Sequence, residues 1–529
     1  MTVLFSTAIH DRSNGIMPFT PPAIMSRIPV ADATRHFSSA TSTVISALAI
    51  TLLSACASVG PDYRPPTADS LALPSKWQAA LPHQGQTGQL QDWWARLGDP
   101  VLTQLQGAAN ENNPSMQKAV AQIALARASL ASSKASGAAT LTGSGSVMRA
   151  NNGTGSSTGT RADTNSAMTT GLDASWEIDL LGGVRRRLEA GEATAQAREA
   201  DWNDTRVSLA AEVATVYIRY RACLATLDLT LDDAMSRLAT AQISAASYRA
   251  GAGSSAEAAL ADASAASARA TLRTQDAECE VDVKALVSLT GLAEQELRTL
   301  MHGATRRPLQ YAPFAVQSLS VTLLSQRPDV VAKERALAAA SANIGVAEVA
   351  RYPRLSLSGS ISRSVLAPGN GQVLSSPWSF GPSLSLPLFD GGAAKASVRS
   401  AEASYAIALA EYRQTVSAAV QEVEQSLVRL TSAEARESDV RRSAEGYRAA
   451  ANAAEASWRA GSESLQSYEQ ARRDAISAEQ SLIAVQRDRM LYGVALYKAV
   501  GGGWDATASD APGMTLPSAP STTPDHSVQ

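Results

Sequence analysis

Three things are scarce in this chain of 529 residues: cysteine, histidine and aromatic side chains. There are five histidines, and His10 and His36 lie ahead of the first cysteine. His83, His302 and His526 stand apart from one another and from any Cys/Asp/Glu cluster, so no metal site is expected. Aromatics are only 5% of the chain, while alanine, serine and glutamine are conspicuous. Small side chains suit long, closely packed helices better than a thick globular core. The net charge of −3 gives no basic footprint for nucleic acid. Gly501-Gly502-Gly503 lacks the Lys-Ser/Thr of a phosphate-binding loop, and no nucleophile with a base partner is visible. An enzyme is not expected, nor is any cofactor.

A long apolar run is also missing. Val44 to Ala55 is a stretch of about a dozen apolar and small residues, well short of the ~20 that span a bilayer. Arg27, Arg35 and His36 precede it. A basic flank, a short apolar core and small residues before a cut describe a secretory signal. Met17 and Met25 are alternative starts for a leader of this length. Leu53-Ser54-Ala55-Cys56 resembles a bacterial lipobox, which implies a signal peptide over 1–55, cleavage before Cys56 and a lipid on its thiol. Ala57 in place of Asp implies sorting to the outer membrane.

What is present is a tandem repeat. "YRAG" ends at Gly251 and "WRAG" at Gly461, an offset of 210. "LVSLTG" ends at Gly291 and "LYKAVG" at Gly501, and Glu212 answers Glu422, both at 210. "DLLGG", ending at Gly183, answers "LFDGG", ending at Gly392, with a slip of one.

Each copy reads alike. A helix comes first, over 99–136 or 321–351. Two short strands follow, within 140–178 or 354–388, around polar loops at 151–169 or 368–376. A helical hairpin closes the copy, over 184–290 or 393–500. In 354–362, Leu355, Leu357, Gly359 and Ile361 point one way and Ser356, Ser358, Ser360 and Ser362 the other. A lipid-anchored equatorial segment is expected at 56–98, the copies at 99–305 and 306–504, and a disordered tail at 505–529. A helix of about 66 residues is on the order of 100 Å long and must lie against other helices. Strands of about 9–11 residues match an outer membrane. Four per chain cannot close a barrel, and open edges are forbidden in lipid. Three chains would give twelve strands and a lumen, so a cyclic trimer is favoured. Ordinary half-buried hairpins in a soluble lipoprotein are the rival.

"LLSQRPDVVAKERALAAASANIGVAEVARYPRLSLSGS", from Leu323, closely resembles the signature of TolC-type outer-membrane efflux factors, in their lipoprotein (NodT-like) branch. "SWEIDLLGGVRRRLEA", "LPLFDGG", "LYKAVGGGW" and "VGPDYRPP" resemble the same family, over about Cys56 to Trp504. The resemblance implies a mainly α fold with a transmembrane β-barrel. A homotrimer would join a 12-stranded barrel to a periplasmic α-barrel, with an equatorial belt from 56–99, 293–319 and the C-terminus. It implies a passive exit duct in the outer membrane of a Gram-negative bacterium. The duct would dock a periplasmic adaptor and an inner-membrane transporter of the resistance-nodulation-division (RND) type, and would export small molecules such as drugs. A TolC-like duct for protein secretion and a lipid-anchored scaffold without a pore are the alternatives.

By the same resemblance, Leu465, Glu469 and Arg472 form the periplasmic gate, on one helix face by their spacings of four and three. The family usually has Asp where Glu469 stands. Glu257 is the weaker counterpart in copy one, where Ser255 and Ala256 replace the usual arginine and leucine. Adaptors would dock around the turns at Gly251 and Gly461. Trp176, Trp378 and Phe380 suit an interfacial girdle or packing against the belt. Cys223 and Cys279 each lie 28 residues from Gly251, level on an antiparallel pair. A disulfide is geometrically allowed there, although two free thiols on different faces is the preferred expectation.

Overall fold

The computed structural model describes residues 58–67, 71, 77–79, 90, 93–151, 164–302, 326–367 and 372–504. The expected signal segment, Cys56, Ala57, the expected belt segment beyond His302 and the expected tail lie outside the described residues.

Copy one opens with α1 (Trp93–Arg96), α2 (Pro100–Asn112) and α3 (Pro114–Ser136). The single helix expected over 99–136 is thus two. The residue before a proline is pushed out of the helical region, and Asn113 is extended at φ −68°, ψ 127°. It caps α3 through its side chain, and its amide donates to the Leu289 carbonyl at 2.8 Å. Strands β1 (Thr140–Asn151) and β2 (Thr164–Ile178) follow, then the hairpin α4 (Gly183–Arg249) and α5 (Ser255–Thr290), and α6 (Glu294–Met301). β2 starts within the stretch expected as loop.

Copy two has α7 (Pro328–Val349), β3 (Arg354–Ala367), β4 (Val373–Ser375), β5 (Trp378–Ser385) and the hairpin α8 (Ala393–Arg459) and α9 (Leu465–Ala499). Both long helices have 67 residues, their ends 210 apart. The slip of one disappears, because the N-caps are Gly182 and Gly392.

The sheet is antiparallel in the order β1-β2-β3, with β4 and β5 both on β3. Five strands replace the expected four, but only four paths exist. Ser364 faces Ser375 and Ile361 faces Trp378, one continuous register. Pro377, between β4 and β5, has no N–H to give the ladder. Its carbonyl still accepts from Ser362 N at 3.0 Å.

The apolar core is a collar around the middle of the long helices. Trp93, Leu102, Leu105, Tyr217, Leu286, Leu427 and Leu430 are all buried there. Each buried side chain of this size contributes about 1.5–3 kcal/mol. Away from the collar the buried contacts are mostly alanine, for example Ala265, Ala268, Ala451 and Ala454. Two family-signature stretches lock at the collar. Arg327 donates to the Ala499 carbonyl at 2.7 Å and to Asp329 and Glu422. A Cβ on Gly501 would lie 2.1 Å from the Gln326 carbonyl oxygen, so only glycine allows that approach.

Candidate functional site

The strand pleat sorts the sheet into two unlike faces. Across the registers, one face carries Leu141, Val147, Met168, Leu172, Trp176, Leu355, Leu357, Ile361, Val365, Leu374, Trp378, Phe380 and Leu384. The other carries Thr142, Ser144, Ser146, Asp173, Ser175, Glu177 and the even-numbered serines Ser356 to Ser364. Hydroxyl pairs cross that second face, Thr169 with Ser364 at 3.2 Å and Ser360 with Ser379 at 2.9 Å. The apolar face is solvent-exposed, with Trp378 76% and Phe380 71% accessible. Trp176 shares that face and donates its indole N–H to the Gly137 carbonyl at 3.0 Å. An apolar outside, a polar inside and aromatics on the outer face are what a membrane barrel wall requires. β1 and β4/β5 have no second neighbour among the described residues, so both sheet edges are open.

At the far end of the helices the two hairpins turn at Gly251 and Gly461, with φ of 71° and 78°. Only glycine adopts that conformation freely. Leu465, Glu469 and Glu257 line one recess of about 550 Å³ between the hairpins, together with Arg237, Thr240 and Arg473. Glu469 is only 5% exposed. Its carboxylate accepts from Thr240 Oγ1 at 2.9 Å and Ser236 Oγ at 3.2 Å, both on α4. These hydroxyls went unnoticed in the sequence because they lie over 220 residues away. Arg472 does not reach a carboxylate among the described residues. One of its terminal nitrogens donates to the Asp232 carbonyl at 2.7 Å, and Nη1 is buried without a partner among the described residues. Glu257 bonds Ser254 N at 3.1 Å in a capping box. Trp458 stacks on Tyr468 at 5.4 Å beside the second turn.

Higher on the first hairpin, the structure bonds Cys223 to Cys279, with Cα atoms 5.6 Å apart. The preferred expectation of two free thiols does not hold. The α4–α5 pairing brings the two residues face to face at one level.

An amphipathic strand quartet joined to helices about 100 Å long defines the subunit of an outer-membrane duct. The outer membrane efflux protein family model matches residues 105–292 and 319–502, one stretch per copy, and the chain belongs to that family. It is similar to the outer membrane protein OprJ of Pseudomonas aeruginosa, 30% identical over 464 residues, covering 87% of this chain and 96% of the relative. It is similar to nodulation protein T of Rhizobium leguminosarum bv. viciae, 28% identical over 87% of this chain and 93% of the relative. The solved structure of the outer-membrane channel OprN matches with TM-score 0.69 and 29% identity, over 84% of this chain and 99% of that one. The fold is that of the TolC-type channels, and the protein is an outer-membrane efflux channel component reaching into the periplasm.

Proposed function

We propose that three copies close a 12-stranded barrel and form the passive exit duct of a tripartite pump. The duct receives small molecules such as drugs from an RND-type transporter through a periplasmic adaptor. The observation that carries this is the sheet: one apolar face, one hydroxyl-rich face and two open edges. Unpaired edges in lipid cost several kcal/mol per group, and closure with neighbouring copies removes them. A lipid on Cys56 would hold each copy to the membrane.

The gate reading rests on the hairpin tips. Glu469 and Leu465 face one recess between the hairpins, and the buried Nη1 of Arg472 awaits an acceptor that a neighbouring copy can supply. Adaptor tips would dock at the turns around Gly251 and Gly461.

Planar-bilayer recording of the detergent-extracted trimer tests both readings. Wild type should conduct poorly and prefer cations, because an acidic constriction repels anions. Glu469→Ala should raise conductance and lower that preference. Conduction that ignores the substitution keeps the duct and removes the gate; the absence of any trimer removes the duct.

A further inference from the structure

The wall just below the barrel has two sides that the structure distinguishes. On one side, residues 58–67 run across α7. Tyr63 donates to Glu334 Oε1 at 2.5 Å, and a Cβ on Gly60 would lie 2.5 Å from the Gly345 Cα. Arg186 holds the same stretch through the Val59 and Gly60 carbonyls and Asp62. This stretch leads back to Cys56, so it marks the outside of the duct.

On the other side of α7 lies a recess of about 980 Å³, floored by small residues such as Ala336 and Ala347 and by Asn343. At 100° per residue, Ala336 is half a turn away from Gly345. Arg354, at the start of β3, also lines it. By strand alternation Arg354 belongs to the serine face of the sheet, the side that faces the lumen. Both markers place the recess on the inner wall. That sidedness rests on the duct reading above.

The lining is basic. Arg187 and Arg198 of α4, Lys333 of α7 and Arg354 stand against one carboxylate, Asp201. Asp201 is already taken by Arg198 at 2.9 Å, and Lys333 reaches Glu411 at 2.8 Å. Among the described residues Arg187 donates only to the Ser136 hydroxyl, at 3.2 Å. Arg354 has no side-chain partner among the described residues. Among the described residues neither guanidinium has a carboxylate within ion-pair distance, and both line a concave, alanine-floored space. A cleft lined by one sign of charge focuses its field and concentrates the opposite ion. Guanidinium groups match carboxylate, sulfonate and phosphate oxygens two at a time.

The geometry points to a binding surface for small organic polyanions on the inner wall. Arg187 and Arg354 are its primary contacts and Lys333 its secondary one. The flat alanine floor accepts an apolar body, so the class is an aromatic or aliphatic anion with two or more negative groups. Repeated in each copy, the surface makes a basic belt above the acidic tip and counters the exclusion of anionic cargo.

The test uses the full-length trimer in detergent with pyranine, a pyrene trisulfonate, read by fluorescence anisotropy. Binding should saturate and weaken as salt shortens the Debye length. The double variant R187Q/R354Q should weaken it by about tenfold or more, and Lys333→Gln by less. Arg442→Gln, far down the exposed arm of α8, should leave it unchanged. Trimeric elution of each variant keeps the comparison valid. No saturable binding, or binding that the double variant leaves intact, overturns the proposal. Conductance of the same preparation reports on the duct separately. Saturable, variant-sensitive binding by a trimer that conducts neither as wild type nor with Glu469→Ala would leave the recess standing and remove its lumenal assignment.

Discussion

The hairpins over 183–290 and 393–499 share a backbone plan and are braced by different chemistry. Where copy one bonds Cys223 to Cys279, copy two has Ala433 and Arg489, each 210 residues on. Arg489 reaches across to Glu437 at 2.8 Å and Glu434 at 3.1 Å. Burial works against the Glu437 charge, yet hydrogen bonds from Arg489 and Arg441 hold its carboxyl below the usual range. One hairpin has a covalent staple at that level and the other an ionic one. Their tips differ as well. Copy one ends in a capping box, while copy two carries Leu465, Glu469 and Arg472 where copy one has Ser255, Ala259 and Asp262. A duplicated frame thus has one arm braced covalently and one braced by ion pairs, and the residues proposed for the gate are on the ionic one.

The staple offers the largest break in that comparison. A disulfide closing a separation of 56 residues stabilises by about 4 kcal/mol in the chain-entropy picture. Cys223→Ser with Cys279→Ser should cost the first hairpin about that much, read as lost amide-exchange protection along α4 and α5. Arg489→Ala should cost the second hairpin about 1–2 kcal/mol, since Glu434 is half exposed and its pair is screened. Equal losses would erase the distinction between the arms. Non-reducing peptide mapping should recover Cys223 and Cys279 in one linked fragment.

The second contrast is a half-buried acid. Asp204 lies in α4 near the collar, and its counterpart 210 residues on is the neutral Gln414. Burial pushes the Asp204 carboxyl up to about 6, with Asp329 adding to the rise and Lys498 and Arg327 opposing it. The folded chain therefore holds this proton more tightly than the unfolded chain does. Its penalty is present above about pH 6 and relaxes as pH falls toward 3.8. Asp204→Asn should stabilise the protein by up to about 3 kcal/mol at neutral pH. The advantage over wild type should shrink through pH 6 to 4 in paired thermal melts. A constant difference across that range would show that the Asp204 charge carries no such penalty.

These contrasts also mark what was legible in the sequence. The repeat, the strand faces and the hairpin turns were readable because local patterns dictate them: alternation in 354–362, glycine at 251 and 461. The Asn113–Pro114 break was equally local, in a proline signal that the long helical pattern obscured. The hydroxyls of Ser236 and Thr240 around Glu469, the hold of Arg186 on residues 59–62 and the burial of Asp204 were not readable. Each depends on packing between helices distant in the chain, which periodicity does not encode. The cysteine pair lay between: spacing placed both thiols at one level, but facing depends on how the α4 and α5 surfaces meet.

The smallest expected effect separates two roles of Glu257. In the structure it completes the Ser254 capping box, with both hydrogen bonds at 3.1 Å. The second tip has Ser464 as its cap and Ser467 where the box would need an acid. If Glu257 only caps, Glu257→Ala should loosen the first turn of α5 by about 1 kcal/mol, and Ser467→Glu should tighten α9 by a similar amount. Neither should then change conductance in the way expected of Glu469→Ala. If Glu257 also lines the closed tip, as its place in the recess with Glu469 supports, Glu257→Ala should raise conductance while Glu257→Gln, which keeps a capping side chain, raises it too. The Gln variant decides between the roles, because it removes the charge and spares the cap.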